Sequence, residues 1–144
     1  MKRLMSTSND VALTMLRVVL GVVFFAHGAQ KMLGWFGGYG FHGTMGAFTQ
    51  MGMPAALAFL IICTEFFGGL GLILGLLTRI AALGVGGLMI GAIFMVHMPN
   101  GFFMNWMGSQ KGEGIEYHLL VLAMAGALLL RGAGAFSLDR ALAK

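Results

Sequence analysis

Four apolar stretches, each about as long as a bilayer is thick, constrain the fold of this chain more than any other feature. A helix needs about 20 apolar residues to cross the hydrocarbon core, whereas a barrel strand needs about ten that alternate in polarity. These stretches do not alternate, and they are rich in Leu, Gly, Ala and Met. We therefore predict four transmembrane helices, at Val11–Gln30, Ala55–Leu77, Ile80–Met98 and Ile115–Ala135.

The composition excludes most classes of soluble protein. Hydrophobic residues make up 58% of the chain and charged residues only 10%, whereas roughly 25% of a soluble domain is charged. A soluble enzyme, a nucleic-acid-binding protein and a disordered tail are thus all excluded. We expect an all-α integral membrane protein, a bundle of four transmembrane helices that forms one domain over residues 1–144. Its surroundings are the lipid bilayer, and nucleic acid is not a partner.

The distribution of basic residues predicts how the chain is oriented. Cytoplasmic loops of membrane proteins carry an excess of Lys and Arg, and the basic residues here divide six to two between the two sides. The richer side has Lys2, Arg3, Arg79, Arg131, Arg140 and Lys144, and the poorer side has Lys31 and Lys111. Both termini are therefore predicted to be cytoplasmic. The loops Met32–Pro54 and Pro99–Gly114 then face outward, with Trp35, Tyr39, Trp106 and Tyr117 as an aromatic belt.

Two glycine pairs indicate close helix packing. Gly71 and Gly75 in the second span, and Gly87 and Gly91 in the third, are four residues apart. Small residues at this spacing let helix backbones approach each other. We interpret both pairs as contacts inside the bundle, and a homodimer face is the alternative use of the same pattern.

Charged and imidazole side chains occur within the apolar spans, where they are costly and are therefore functional candidates. Arg17, His27 and Lys31 lie within an arc of about 80° on the first helix, and Gly21 and Gly28 lie beside this arc. This face is predicted to look into the bundle. The other spans contribute Glu65, His97, Glu116 and His118.

The helical rise of about 1.5 Å per residue gives approximate heights above the cytoplasmic ends. His27 lies at roughly 25 Å, His97 at roughly 27 Å and His118 at about 20–26 Å, which is one level within a helical turn. Glu65 lies just below them, and Arg17 lies lower still at roughly 10 Å. The sequence thus predicts an ionisable pocket in the outer half of the bundle. Glu65 is expected to pair with Arg17 from below or with His27 from above.

The same side chains have the chemistry of metal ligands, but their spacing does not indicate a metal site. His27, His97, His118, Glu65 and Glu116 could each bind zinc, iron or copper, yet no HxxH, HExxH or ExxH pattern is present. Copper held near Met95, His97 and Met98, and haem held by two histidines, are less favoured alternatives. The single Cys63 excludes a dithiol redox centre within this chain.

Three groups of residues resemble sequence motifs of one known family. The first comprises Leu16-Arg17-Val18-Val19-Leu20-Gly21, His27-Gly28-x2-Lys31 and Gly34-x-Phe36-Gly37-Gly38. The second comprises Glu65-x2-Gly68-Gly69 and Leu74-Gly75-x2-Thr78-Arg79-x-Ala81-Ala82, and the third is Gly134-Ala135-Phe136-Ser137-Leu138-Asp139-Arg140. Together they resemble the first-helix signature, second-helix motif and closing motif of the DoxX family, over about residues 11–140.

This resemblance implies a multi-pass protein of the bacterial inner membrane that serves as a subunit of an oxidoreductase system. Some DoxX relatives reduce quinone, so a quinone or similar redox ligand is expected in the outer pocket, with a membrane or peripheral redox protein as partner. A non-catalytic accessory subunit of a larger membrane complex is the alternative, and the sequence leaves catalysis and homo-oligomerisation open. The candidate catalytic residues are His27, Glu65, His97 and His118, and the candidate cofactor-binding residues are Arg17, Lys31, Glu116 and Tyr117.

Overall fold

The computed structural model describes residues 5–143, and within that range every regular element is helical. We number the helices in chain order. They are α1 (Val11–Leu33), α2 (Gly40–Gln50), α3 (Ala55–Leu74), α4 (Thr78–Asn100), α5 (Glu116–Arg131) and α6 (Leu138–Leu142), with changes of helix type inside α3 and α4.

Three of these helices, α1, α3 and α4, are long and apolar enough to cross a membrane. The helix predicted at Ile115–Ala135 is present as α5 but is shorter, with 16 residues. It ends at Gly132, whose φ of 82° does not continue a helix. A helix of this length rises about 24 Å, less than the roughly 30 Å hydrocarbon core. A membrane crossing by α5 therefore stays a prediction.

The predicted helix boundaries differ from the observed ones at two connections. The tight turn between α3 and α4 consists of Gly75, Leu76 and Leu77 rather than Thr78 and Arg79, because Gly75 adopts a left-handed conformation that ends α3. The loop predicted at Met32–Pro54 contains the helix α2. Its three glycines lower helix propensity, so little in this segment indicates a helix.

The helices pack as two pairs, α1 on α3 and α4 on α5, around one apolar core. The core comprises Leu13, Leu20, Phe24, Leu72, Ala82, Val85, Met89, Val121, Ala125 and Leu128. Large apolar side chains also cover the outside, including Val19, Phe94 and Leu130, which are at least 58% exposed. An apolar outer surface of this extent suits a protein surrounded by lipid.

The glycines that bring the backbones of α1 and α3 together lie outside the two predicted pairs. Gly75 of the first pair nevertheless packs inside the bundle, since its Cβ would lie 2.9 Å from Arg17 Cζ. A Cβ on Gly28 would lie 2.4 Å from the Phe66 backbone, and one on Gly69 would lie 2.4 Å from Phe25 N. Only glycine allows this approach. By contrast, no described atom lies within 4 Å of a Cβ built on Gly87 or Gly91, so the predicted packing role is wrong for that pair within residues 5–143.

Candidate functional site

Two turns of π-helix interrupt the long helices, and each carries a predicted site residue. Thr64–Gly68 is π-helical within α3 and contains Glu65, and Ile93–His97 is π-helical within α4 and ends at His97. A π turn fits one extra residue into a helix and occurs frequently at functional sites. Both Glu65 and His97 line one cavity, which lies between α1, α3, α4 and α5.

This cavity, the polar cavity, has a volume of about 360 Å³. Its lining residues are Phe24, His27, Glu65, Leu88, Met89, Ala92, His97, Met104, Glu113, Tyr117 and His118. The prediction that His27, His97 and His118 converge on one pocket is thus confirmed as geometry. Their roles toward a ligand stay predictions.

Two of the histidines are in direct contact. The ring centroids of His97 and His118 are 4.1 Å apart, with their planes inclined at 45°. His97 Nδ1 donates to the Glu113 carbonyl oxygen at 2.8 Å, so in the neutral ring Nε2 is an acceptor. His118 is 4% exposed, and its Nδ1 has no hydrogen-bond partner among the described residues.

The other two ring side chains lie nearer the edge of the cavity. His27 is exposed rather than buried in the bundle, although it lines the polar cavity. Tyr117 is half-buried and packs edge-on against the His118 ring, with centroids 5.5 Å apart. Tyr117 therefore belongs to the cavity, whereas Trp35, Tyr39 and Trp106 are exposed as an aromatic belt requires.

Glu65 is buried and has a cationic partner, as predicted, but the partner is Lys31. Lys31 Nζ donates to Glu65 Oε2 at 2.5 Å, and the side chains are 23% and 9% exposed. The prediction of Arg17 or His27 as the partner is wrong. The contact of Gly28 with Phe66 places these two residues at the same height, so Lys31 lies only about half a turn beyond Glu65 and its side chain reaches the carboxylate.

Arg17 is fully buried but lies away from the polar cavity. Its guanidinium donates to four backbone carbonyls, those of Leu72, Ile73, Ala133 and Phe136. Two of these, the carbonyls of Leu72 and Ile73, belong to the last turn of α3, and the carbonyls at the end of a helix attract cations. The structure therefore places Arg17 as a clamp between α3 and the segment after α5, not at the floor of the pocket.

Glu116 also lies outside the polar cavity. Its carboxylate accepts from Met104 N at 3.1 Å and so holds the loop between α4 and α5. The neighbouring Glu113, which was not among the predicted site residues, does line the cavity. Glu113 lies three residues before Glu116 in the sequence, and this proximity is the only signal that could have indicated Glu113 as a site residue. Among residues 5–143, no group of three His, Cys, Asp or Glu side chains is arranged to hold a metal ion.

A second cavity, the apolar cavity, adjoins the polar one and has a volume of about 500 Å³. It lies between α3 and α4, with α2 at its edge, and shares Glu65, Leu88 and Ala92 with the polar cavity. Its other lining residues are Lys31, Phe48, Met53, Leu57, Leu60, Ile61, Thr64, Leu83, Gly84, Gly87, Gly91, Met95 and Val96. Lys31 thus borders this cavity rather than the polar one.

Comparison with known proteins identifies the family. A family model described as DoxX matches residues 12–98. The chain is 31% identical to "Putative oxidoreductase CatD" of Bacillus subtilis over 94% of this chain and 90% of that protein. It is also 31% identical to "Inner membrane protein YqjF" of Escherichia coli, over 97% and 98%. No solved structure matches the chain. The chain is therefore a multi-pass membrane protein that belongs to the DoxX family.

Proposed function

We propose that this protein is the membrane subunit of a bacterial oxidoreductase system and binds a quinone or similar small redox ligand in the polar cavity. The observation that carries the proposal is the convergence of His97, His118, Tyr117 and Glu65 on one cavity of ligand size. The name of the CatD relative, an oxidoreductase, is consistent with it.

The residues of the polar cavity fit such a ligand. A bound quinone supplies two-electron redox chemistry and takes up two protons when an external donor reduces it. Its carbonyl oxygens would accept hydrogen bonds from the Tyr117 hydroxyl and from the His118 ring. The contacting imidazoles of His97 and His118 would carry protons between the ligand and the exposed His27 at the edge. The ion pair with Lys31 compensates the buried charge of Glu65 beside them.

Binding of a water-soluble benzoquinone that lacks a tail tests the proposal directly. We expect His118→Phe to weaken binding by the purified protein at least tenfold, which corresponds to about 1.4 kcal/mol for the loss of one hydrogen bond. His42→Phe is the matched control, because His42 is exposed on α2 and lines neither cavity. Unchanged affinity in a folded His27, His97 and His118 triple phenylalanine variant would contradict the proposal.

An accessory subunit of a larger membrane complex is the second candidate, and the open glycine face of α4 favours it. Gly87 and Gly91 contact no described atom at the Cβ position, so another helix could approach there. A lipid extract and an absorption spectrum of protein purified in mild detergent distinguish the candidates. Copurifying quinone supports ligand binding, whereas its absence together with a copurifying membrane protein supports the accessory role.

The proposed topology has four spans, with α5 as the fourth, and both termini in the cytoplasm of the inner membrane. Single cysteines at Lys2, Gly40 and Gly108 on a Cys63→Ser background test it. Lys2, Arg3 and Lys144, which contribute to the basic asymmetry, lie outside the described residues. We expect a membrane-impermeant thiol reagent to label positions 40 and 108 from outside the cell but not position 2.

A further inference from the structure

The residues that line the apolar cavity suit a hydrocarbon chain, and the two charged side chains among them pair with each other. Lys31, Thr64 and Glu65 are its only polar lining residues, and the two charged ones neutralise each other at 2.5 Å. The remaining lining side chains are aliphatic, aromatic or methionine, or are absent at glycine. Its volume of about 500 Å³ lies within the range of roughly 300–1,000 Å³ typical of ligand sites.

Three glycines of α4 make this cavity wide. Gly84, Gly87 and Gly91 recur at helical spacing, so they share one face of the helix. A Cβ on Gly84 would touch Thr64, but at Gly87 and Gly91 nothing described lies within 4 Å. The last two glycines thus leave space that a larger side chain would fill.

The polar and apolar cavities are adjacent and share the lining residues Glu65, Leu88 and Ala92. The polar cavity is lined by imidazole, phenol and carboxylate groups, and the apolar cavity is lined mostly by hydrocarbon. An amphipathic molecule with a hydrogen-bonding ring and a long apolar tail matches both cavities at once.

We propose that the apolar cavity holds the hydrocarbon tail of the ligand whose head group occupies the polar cavity, so that the ligand class is a prenyl- or alkyl-substituted redox ring. The tail would pass the Lys31–Glu65 ion pair and lie along Gly87 and Gly91. This inference rests on the proposed function, because it assigns a second part of the same ligand.

Replacement of the glycines by larger residues tests the tail site separately from the head site. Wild-type protein and the Gly87→Leu, Gly91→Leu double variant are titrated with tailless benzoquinone and with its decyl derivative, at one fixed detergent concentration. Because partition of the quinone into detergent is then the same for both proteins, the ratio of their dissociation constants measures the effect of the substitutions on binding. We expect the variant to lose at least tenfold in affinity for the decyl form and less than twofold for the tailless form.

Gly126→Leu is the matched control. Gly126 lies in α5, also has nothing described within 4 Å of its Cβ position, and lines neither cavity. If the double leucine variant does not fold, the series Gly87→Ala and Gly87→Val replaces it, with a loss of decyl affinity that increases with side-chain volume.

Equal decyl affinity in wild-type protein and the folded glycine variants would overturn the tail site, even where tailless binding persists. The tail site would also be overturned if the glycine variants kept wild-type decyl affinity and lost only a copurifying phospholipid. The same holds if they lost only their oligomeric state. Failure of wild-type protein to bind either benzoquinone would instead refute the proposed function.

Discussion

Replacement of Arg17 by Met should destabilise the protein strongly without removing a ligand contact. Methionine retains much of the apolar stem of arginine but removes all four donor contacts to Leu72, Ile73, Ala133 and Phe136. Hydrogen bonds from a charged group contribute about 1.5–3 kcal/mol each, or roughly 6–12 kcal/mol for four. Removal of the buried guanidinium also recovers its desolvation cost, which is several kcal/mol. We therefore expect a net loss of about 3–5 kcal/mol in the free energy of unfolding.

Thermal unfolding in mild detergent measures this effect. For a chain of this size, 1 kcal/mol corresponds to about 2–4 °C, so the midpoint should fall by roughly 10 °C. Arg131→Met is the control, because Arg131 is exposed at the end of α5 and surface substitutions change stability by less than about 0.5 kcal/mol. Tailless benzoquinone should bind the folded Arg17→Met fraction with wild-type affinity. An unchanged midpoint together with lost binding would refute the clamp and restore Arg17 to the ligand site.

Two other substitutions test the packing described above. Gly28→Ala should lower the free energy of unfolding by about 1–3 kcal/mol, because its Cβ would lie 2.4 Å from the Phe66 backbone. The control Gly46→Ala on α2 should be neutral or stabilising by up to about 1 kcal/mol. Equal unfolding midpoints for the two variants would contradict the close approach of α1 and α3. Asp139→Ala should cost about 1–2 kcal/mol, since its carboxylate accepts from Leu77 N and Thr78 N at the start of α4. Protection of these amides from hydrogen exchange should fall in that variant, and wild-type protection would show that the cap is dispensable.

The length of the apolar stretches and the cost of placing charge in a membrane were sufficient to predict three long helices and the level of three histidines. They also predicted the fourth helix, α5, but as longer than it is. The helical rise per residue and the cost of moving a side chain out of water depend on the local sequence, so both can be estimated before it is known how the helices pack. Such arithmetic correctly placed His27, His97 and His118 on one cavity.

The partners of Arg17 and Glu65 could not be predicted in the same way. Heights measured from predicted helix ends assume that the helices begin at one level and remain regular. The register of α1 on α3 is instead fixed by Gly28 against Phe66, and a π turn alters the helix at Glu65. Both effects depend on which surfaces meet after folding. The backbone carbonyls that bind Arg17 have no signature in the sequence at all.

The clamp of Arg17 and the cap by Asp139 have a consequence for the order of events during synthesis. The hairpin of α3 and α4 is complete as a sequence long before Ala133, Phe136 and Asp139 leave the ribosome. Until then, the guanidinium lacks two of its four carbonyls, and the amides of Leu77 and Thr78 lack their acceptor. The centre of the nascent protein thus has unsatisfied polar groups until residues 133–139 have been made and bind there. In a chain cut short before residue 133, the Arg17 guanidinium and the start of α4 would lack these partners. We expect such an incompletely folded chain to be a substrate for membrane quality-control proteases.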